Sequence, residues 1–478
     1  MFTSLKRLKR IPYRLASLFM ILLVGFSLNE NPFRSRNIPA SSPPIPNVIK
    51  IETWQQQLGH KILTLREAIP TASRVVLVPD PVTFLKAIQE WSLEERYPIL
   101  IADDYYTPLF LKRFQPQEVI QLPSVQSSFF ADQKRLMEEA VAAAWDSDIS
   151  TLKETWQQLG WNPPGVVITS VHDSAAVAAV ALAADRGQPL RFLDGYFGNV
   201  NQTLSPKSWK VLSDEVNQLI ANTGYDYQDL GDTIDTITLV RDLPVKYRSP
   251  KNGQLLAVTD GLGRHQDGQR YAIAGWIYGS AERAVYQAMC AIFLNADQAL
   301  LYDSYPHTDS WKAYHFQNGR QWLEKMGLTT TEIKPRQASQ KTWQDLTAQP
   351  WTYDLIFMNS RGGKANFAVG NGQARVKDIP TLDTPTAMYL IHSFSATRPD
   401  DVNTVAGRWL NYGVYAYVGS VDEPYVTGFV PPEAMIARLS RQVPFLVSAR
   451  YVDTPPWKIT TIGDPLMVIN ATTGNKEK

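Results

Sequence analysis

Cysteine is nearly absent from this sequence, which contains one, Cys290, among 478 residues. A single thiol excludes an internal disulfide framework and any metal site built from several cysteines. Cys290 lies in the segment 281–293, where apolar residues recur with a helical period. We therefore expect a buried, unreactive thiol and not a nucleophile.

An excess of charge of either sign is also lacking. Lysine and arginine together number 47, aspartate and glutamate number 46, and the net charge is +1 at pH 7. The body of the chain has no long basic stripe, which a dedicated nucleic-acid binder would show, so we expect no nucleic-acid partner. Hydrophobic residues make up 44% and charged residues 19%, as is typical of a globular protein. The length predicts two or three domains.

The chain begins with an apolar run that is short for a membrane span. Residues 15–28 are mostly apolar, whereas a transmembrane helix usually needs ~20 such residues. The basic residues before the run are Lys6, Arg7, Lys9, Arg10 and Arg14. A basic region followed by a hydrophobic segment is typical of a secretory signal. Residues 1–28 are therefore predicted to be a signal peptide or, if uncleaved, a membrane anchor. The protein is predicted to be exported, to the periplasm, the cell surface or the outer side of a membrane.

Composition and periodicity divide the rest of the chain into four segments. Residues 29–50 are rich in Pro, Ser and Asn and predict an extended linker. Residues 51–235 predict an N-terminal α/β region, and residues 250–470 predict a second, larger domain. Residues 471–478 form a polar tail.

The N-terminal region contains two stretches with the same pattern. Apolar runs at 74–78 and 165–169 each lead into a helical pattern, a short turn with proline and a second apolar run. Strand, helix and strand in this order predict two related βαβ units. Between residues 71 and 194 the pattern is similar to the cell-wall-binding repeats of Gram-positive surface proteins. That resemblance implies binding to a cell wall or glycan.

The second domain contains two apolar runs that each stop at small polar residues. They cover residues 353–358 and 387–391, and they are typical of strands buried on both faces of a parallel sheet. Strands alternate with helices over 250–470, which predicts a mostly parallel sheet with helices on both faces. Ligands of such sheets bind beyond the carboxyl ends of the strands. The residues predicted to lie there are Ser360, Arg361, Gly362, His392 and Ser393.

The order of these segments, from about 253 to 469, resembles the gingipain-type cysteine peptidases and their exported relatives, which have a caspase-like fold. The points of resemblance are the strand end at Asp303, the strand and turn 354–362, the strand before His392, residues 413–420 and residues 463–466. In those peptidases one strand ends in His-Gly and the strand paired with it ends in the catalytic cysteine. Here Arg361-Gly362 and His392-Ser393 stand at those places. The resemblance thus implies a caspase-like fold without the peptidase pair, because Arg361 stays protonated and cannot act as a base.

Binding is the function that this pattern favours. The Arg361 guanidinium, beside the Ser360 hydroxyl and the Gly362 amide, is suited to a carboxylate or phosphate. Asp422 and Glu423 are predicted to lie on the same rim, either as part of a ligand site or as ion-pair partners of Arg361. We expect a non-catalytic, membrane-tethered protein that binds a protein, a peptide or an envelope polymer and needs no cofactor.

Two other functions stay open at this stage. A hydrolase with a rearranged site would use Ser393 as nucleophile. His392 is adjacent to it, but neighbouring residues on a strand point to opposite faces, so the base would be His307 or His315, with Asp303 as the orienting group. The protein would otherwise be a structural component of a cell-envelope assembly. A metal site is not expected, because the spacing of Asp303, His307, Asp309 and His315 matches no standard site.

Overall fold

The computed structural model describes residues 53–125, 132–306 and 308–471. The predicted signal or anchor, the linker, the tail beyond residue 471 and His307 lie outside these residues. Within the described ranges no helix combines the length and the apolar character needed to cross a membrane.

The described ranges form α-helices and β-strands in alternation. The helices are α1 (Trp54–Ala68), α2 (Pro81–Ile88), α3 (Tyr106–Phe114), α4 (Gln133–Ala143), α5 (Leu152–Gln158), α6 (Ala176–Arg186), α7 (Pro206–Ala221), α8 (Val258–Gly261), α9 (Ala281–Phe293), α10 (Gly319–Lys325), α11 (Gln340–Thr347), α12 (Val405–Asn411), α13 (Pro432–Leu439) and α14 (Phe445–Ser448). The strands are β1 (Arg74–Val78), β2 (Ile99–Ile101), β3 (Glu118–Gln121), β4 (Gly165–Thr169), β5 (Leu190–Phe192), β6 (Thr203–Leu204), β7 (Thr236–Val240), β8 (Lys246–Arg248), β9 (Leu255–Ala257), β10 (Ile273–Ile277), β11 (Gln298–Asp303), β12 (Thr329–Ile333), β13 (Leu355–Asn359), β14 (Gly362–Gly363), β15 (Asn366–Val369), β16 (Gly372–Arg375), β17 (Thr386–Ile391), β18 (Val414–Ser420) and β19 (Ile459–Ile462).

The largest sheet lies in the C-terminal half. Its strand order is β12-β11-β13-β17-β18-β19, and the strands are parallel except β19, which runs antiparallel to β18. Alternate residues of β13 belong to different hydrophobic clusters, with Leu355 and Phe357 on one face and Ile356 and Met358 on the other. Both faces of the sheet are therefore covered. This explains the continuous apolar run and confirms the predicted mostly parallel α/β architecture.

Both predicted βαβ units are confirmed, but they lie in different sheets. Strand β1 pairs in parallel with β2, and helix α2 connects them. Strand β4 pairs in parallel with β5, and helix α6 connects them. The first unit belongs to a three-stranded sheet in the order β2-β1-β3, the second to a four-stranded sheet in the order β10-β7-β4-β5.

The four-stranded sheet takes strands from both sides of the predicted boundary between 235 and 250. Strand β7 pairs with β4 on one side and with β10 on the other, all in parallel. One sheet therefore contains strands from both of the segments that the sequence analysis separates. Apolar periodicity identifies strands, but their pairing partners depend on contacts between distant segments.

A buried ion pair also links the two halves. Arg186, the last residue of α6, is fully buried, and its Nη2 lies 3.2 Å from Oδ2 of Asp464. Asp185 lies 3.0 Å from Nη1 of the same guanidinium. Asp464 belongs to the segment 463–466 that carried part of the family resemblance. Its carboxylate holds this C-terminal turn against a helix of the N-terminal half.

Candidate functional site

Polar residues follow β13 and β17 at the point where these two neighbouring strands end. In the register of the pair, Asn359 lies opposite Ile391. The backbone N–H of Ser360 donates to the carbonyl of Ile391 at 2.8 Å. The structure therefore brings the segments after the two strands together, as the sequence predicts.

Ser360 does not present its hydroxyl to a ligand. The residue is 1% exposed, and its Oγ donates to the carbonyl of Ala368 in β15 at 2.8 Å. This bond attaches the strand end to the small antiparallel sheet β14-β15-β16. The predicted binding role of Ser360 is thus replaced by a structural one.

Arg361 is the exposed cationic side chain of this edge. Its backbone carbonyl accepts from Ala368 at 2.8 Å, which fixes the main chain, while its side chain is exposed. In the described part of the chain no carboxylate forms an ion pair with Arg361. The acids expected as partners bind elsewhere: Asp422 lies 3.1 Å from the Lys458 ammonium, and Glu423 accepts from Ser393. The closed Arg361 network therefore does not form.

His392 is buried and serves the hairpin that covers it. The residue is 1% exposed, and its Nε2 donates to the backbone carbonyl of Asn366 at 3.0 Å. Burial lowers the pKa of His392 to about 4, so its imidazole is neutral near pH 7. A Cβ atom at Gly362 would lie 2.9 Å from this Nε2. The glycine therefore lets the hairpin approach the ring closely, which is a packing role and not the ligand contact predicted for it.

Ser393 forms no catalytic pair with any residue that the structure describes. Its hydroxyl donates to Oε1 of Glu423 at 3.1 Å, and the same oxygen accepts from the backbone N–H of Tyr425 at 3.0 Å. Among the described residues, no histidine is hydrogen-bonded to this hydroxyl. His392 directly follows the end of β17, whereas Ser393 belongs to the turn that comes next, and the two side chains serve different partners.

Asp303 and His315 do form a pair. Nδ1 of His315 lies 2.7 Å from Oδ2 of Asp303, and Asp303 is 3% exposed. The other carboxylate oxygen accepts from Nδ2 of Asn359 at 2.7 Å. The predicted pairing of Asp303 with a histidine is therefore present for His315, one of the two histidines proposed with it; the other, His307, lies outside the described residues.

Two residues of this edge were missed from the sequence. Asn359 ends β13, donates to Asp303 and accepts from the backbone N–H of Ser304 at 2.7 Å. A buried amide at a strand end was the signal available for it. Lys458 binds the acidic segment twice, through Asp422 and through the carbonyl of Glu423 at 2.8 Å. Lys458 and Asp422 are far apart in the sequence, and no regular spacing connects them. They meet because β19, which follows Lys458, pairs with β18 in the folded protein.

The sequence analysis also predicts the environment of Cys290 and whether a metal ion is bound. Cys290 is 1% exposed in α9, and burial raises the pKa of its thiol well above the usual value. This confirms a buried, unreactive cysteine. Within the described ranges, no group of three or more His, Cys, Asp and Glu side chains is arranged to hold a metal ion.

Comparison with known proteins identifies no relative. No family model, no curated protein and no solved structure matches this chain. The resemblances to gingipain-type peptidases and to cell-wall-binding repeats therefore stay predictions from the sequence.

Proposed function

We propose that this chain is an exported binding protein whose C-terminal domain has a caspase-like fold without peptidase chemistry. It holds a protein, a peptide or an envelope polymer at the edge where β13 and β17 end. The observation that carries the proposal is the engagement of the two groups at the expected nucleophile position. His392 donates to a backbone carbonyl at 3.0 Å, and Ser393 donates to Glu423 at 3.1 Å.

Nucleophilic hydrolysis needs a nucleophile and a base within hydrogen-bond reach of each other. A carboxylate beside Ser393 accepts its proton in a hydrogen bond, but a glutamate is a weak base for a hydroxyl group whose pKa is far above its own. The buried imidazole of His392 uses its N–H for the hairpin. Both contacts support binding over catalysis at this position.

Arg361 supplies the recognition group. Its guanidinium is exposed and has no carboxylate partner among the described residues, so it is available for two parallel hydrogen bonds to a carboxylate. Lys364, three residues further along the same hairpin, is also exposed. The chemistry of the partner is therefore a carboxylate-bearing side chain or chain end.

Binding of labelled peptides tests this proposal. Fluorescence anisotropy with labelled tetraglutamate and tetraglutamine measures whether the purified protein prefers the acidic peptide. We expect Arg361→Ala to weaken tetraglutamate binding about tenfold, the loss typical of one charge-assisted contact. Arg441→Ala, which removes an exposed arginine after α13, is the matched control. Equal affinity of both peptides, or equal loss in both variants, would overturn the proposal.

The Asp303 and His315 pair favours a hydrolase as the second candidate. A carboxylate that orients an imidazole is the base half of a nucleophilic triad, and the two side chains lie 2.7 Å apart. The serine predicted to complete the triad, Ser393, is bonded to Glu423 instead. Covalent labelling of Ser393 separates this candidate from the binding protein.

A further inference from the structure

A cavity of about 650 Å³ has a wall to which neither Arg361 nor its hairpin contributes. Its walls come from α7, from the loops around β8 and β9, and from two C-terminal segments, 424–428 and 451–457. Cavities of a few hundred Å³ hold ligands of drug size. This one is therefore large enough for a disaccharide or a short peptide.

Aromatic rings form much of the wall. Trp209 of α7 and Tyr247 of β8 stack with their ring centres 3.7 Å apart, and both line the cavity. Trp457 lines it from the C-terminal half, held by a hydrogen bond from its Nε1 to the carbonyl of Pro424 at 2.7 Å. Rigid aromatic faces offer a large apolar contact area at low entropic cost. Trp209 and Tyr247 are 8% and 2% exposed and stack on each other, whereas Trp457 is half-buried. The C–H face of a sugar ring is therefore a complementary partner for Trp457 above all.

Amides and hydroxyl groups surround the aromatic wall. The lining side chains of this kind are Ser213, Asn217, Ser249, Asn252, Gln254 and Gln266. Gln254 and Gln266 are exposed, and in the described ranges their side chains make no hydrogen bond. Side-chain amides donate and accept at once, as a ligand with many hydroxyl groups requires.

A buried cluster of charged residues, of which Arg264 reaches the cavity wall, carries an excess of positive charge. Three buried arginines, Arg264, Arg270 and Arg450, surround a single buried carboxylate, Asp260, whose Oδ1 lies 3.9, 2.6 and 3.1 Å from them. Their side chains are at most 5% exposed. No second carboxylate in the described part of the chain pairs with these arginines. One negative charge thus faces three positive ones.

Arg264 connects this cluster to the cavity. The residue lines the cavity wall, and its Nε and Nη1 donate to the carbonyls of Asp260 and Gly268, each at 3.0 Å. Its Nη2 is buried and has no hydrogen-bond partner among the described residues. An unpaired buried N–H of a charged group is costly. A ligand carboxylate placed beside Arg264 at the cavity wall would offset the excess charge of the cluster.

We propose that this cavity binds a saccharide that carries a carboxylate, with a sugar ring against the aromatic wall and the carboxylate toward Arg264. The proposal is independent of the Arg361 site. Lys251 lines the cavity from an exposed position and adds a further positive charge, while the carboxylate of Asp214, which also lines it, is paired with Lys210 at 2.5 Å. The aromatic wall, the amide-rich lining and the cationic cluster at Arg264 together favour this class over a neutral sugar or a purely apolar ligand.

Titration calorimetry with a uronic-acid disaccharide, together with quenching of tryptophan fluorescence by that ligand, tests the proposal. We expect the acidic disaccharide to bind at least about tenfold more tightly than the corresponding neutral disaccharide, since a charge-assisted hydrogen bond distinguishes them. Arg264→Met should remove this preference, and Lys251→Met should weaken acidic-sugar binding several-fold. Lys207→Met, at an exposed position of α7 outside the cavity, should change nothing.

A second variant, a peptide ligand and a control variant distinguish the possible outcomes. Lys251 is exposed, so its variant decides the question if Arg264→Met does not fold. An acidic dipeptide that binds more tightly than the sugar would show a peptide site and overturn the saccharide. Equal binding of acidic and neutral sugars, or no binding of either, would also overturn it. Arg361→Ala should leave sugar binding unchanged, so failure here is distinguishable from failure of the function proposed above.

Discussion

The Ser393 hydroxyl donates to the Glu423 carboxylate at 3.1 Å, while the adjacent imidazole of His392 donates to the Asn366 carbonyl at 3.0 Å. Two residues that look like a nucleophile and its base in the sequence therefore serve different neighbours. Ser393 attaches the end of β17 to the segment after β18. His392 attaches the same strand end to the hairpin β14-β15.

Ser393 should be inert toward serine-reactive probes. A fluorophosphonate labels a serine that a base activates, and Ser393 has a carboxylate partner but no imidazole partner within residues 53–125, 132–306 and 308–471. We expect mass spectrometry to find no adduct on Ser393 in the purified wild-type protein under conditions that fully label an active serine hydrolase in parallel. An adduct present in the wild type and lost in Ser393→Ala would contradict the binding function and support the hydrolase.

His392 should make the protein less stable in acid. Burial lowers the pKa of His392 to about 4 from 6.5, so between these values the unfolded chain binds a proton that the folded protein does not. The free energy of unfolding therefore falls as the pH drops from 6.5 to 4, by up to roughly 3 kcal/mol from this group. Above pH 6.5 the contribution is constant.

Urea unfolding of wild type and His392→Gln across pH 4 to 7 measures this effect. Other buried groups titrate in the same range, and burial raises the pKa of Asp235 to about 7, so the informative quantity is the difference between the two proteins. We expect the wild type to lose stability relative to the variant as the pH falls. Parallel curves would show that His392 does not titrate in this way.

Asp464→Asn should destabilise the protein strongly. The Asp464 carboxylate is buried and lies 3.2 Å from the buried Arg186 guanidinium. Removing one partner leaves the other charge buried with less compensation, at a cost of roughly 3–5 kcal/mol. Chemical unfolding measures the loss. Asp345→Asn, which breaks an exposed pair with Lys341 at 2.9 Å, is the control and should have a small effect. Equal effects of both variants would contradict the structural role of Asp464.

The sequence predicts strands better than it predicts their partners. The runs that became β13 and β17 are apolar at every position, because both faces of the sheet are covered. Their neighbourhood follows from the parallel arrangement, so residues 360–362 and 392–393 could be placed together. The pairing of β7 with β10 could not be predicted. Both strands are buried at every position, as other central strands are, so the apolar pattern does not distinguish one possible neighbour from another.

At the candidate site, too, the sequence predicts which residues lie near one another but not which of them form ion pairs. The sequence places Arg361, Asp422 and Glu423 near one another, and opposite charge suggests that they pair. In the structure Lys458 competes for Asp422 at 3.1 Å because β19 pairs with β18 beside it. A lysine from a segment more than thirty residues away cannot be assigned to an acid by spacing alone. Because Lys458, next to β19, binds Asp422, this acid does not pair with Arg361, whose side chain is exposed.

The pairing of β7 with β10 also determines how the protein can be divided in the laboratory. A gene fragment that begins at residue 250 would encode β10 without the strand that pairs with all five of its residues. The product would expose a bare row of backbone donors and acceptors, which promotes aggregation. A fragment of the C-terminal half should therefore be expressed in folded form only when it contains residues 236–240 together with residues 273–277.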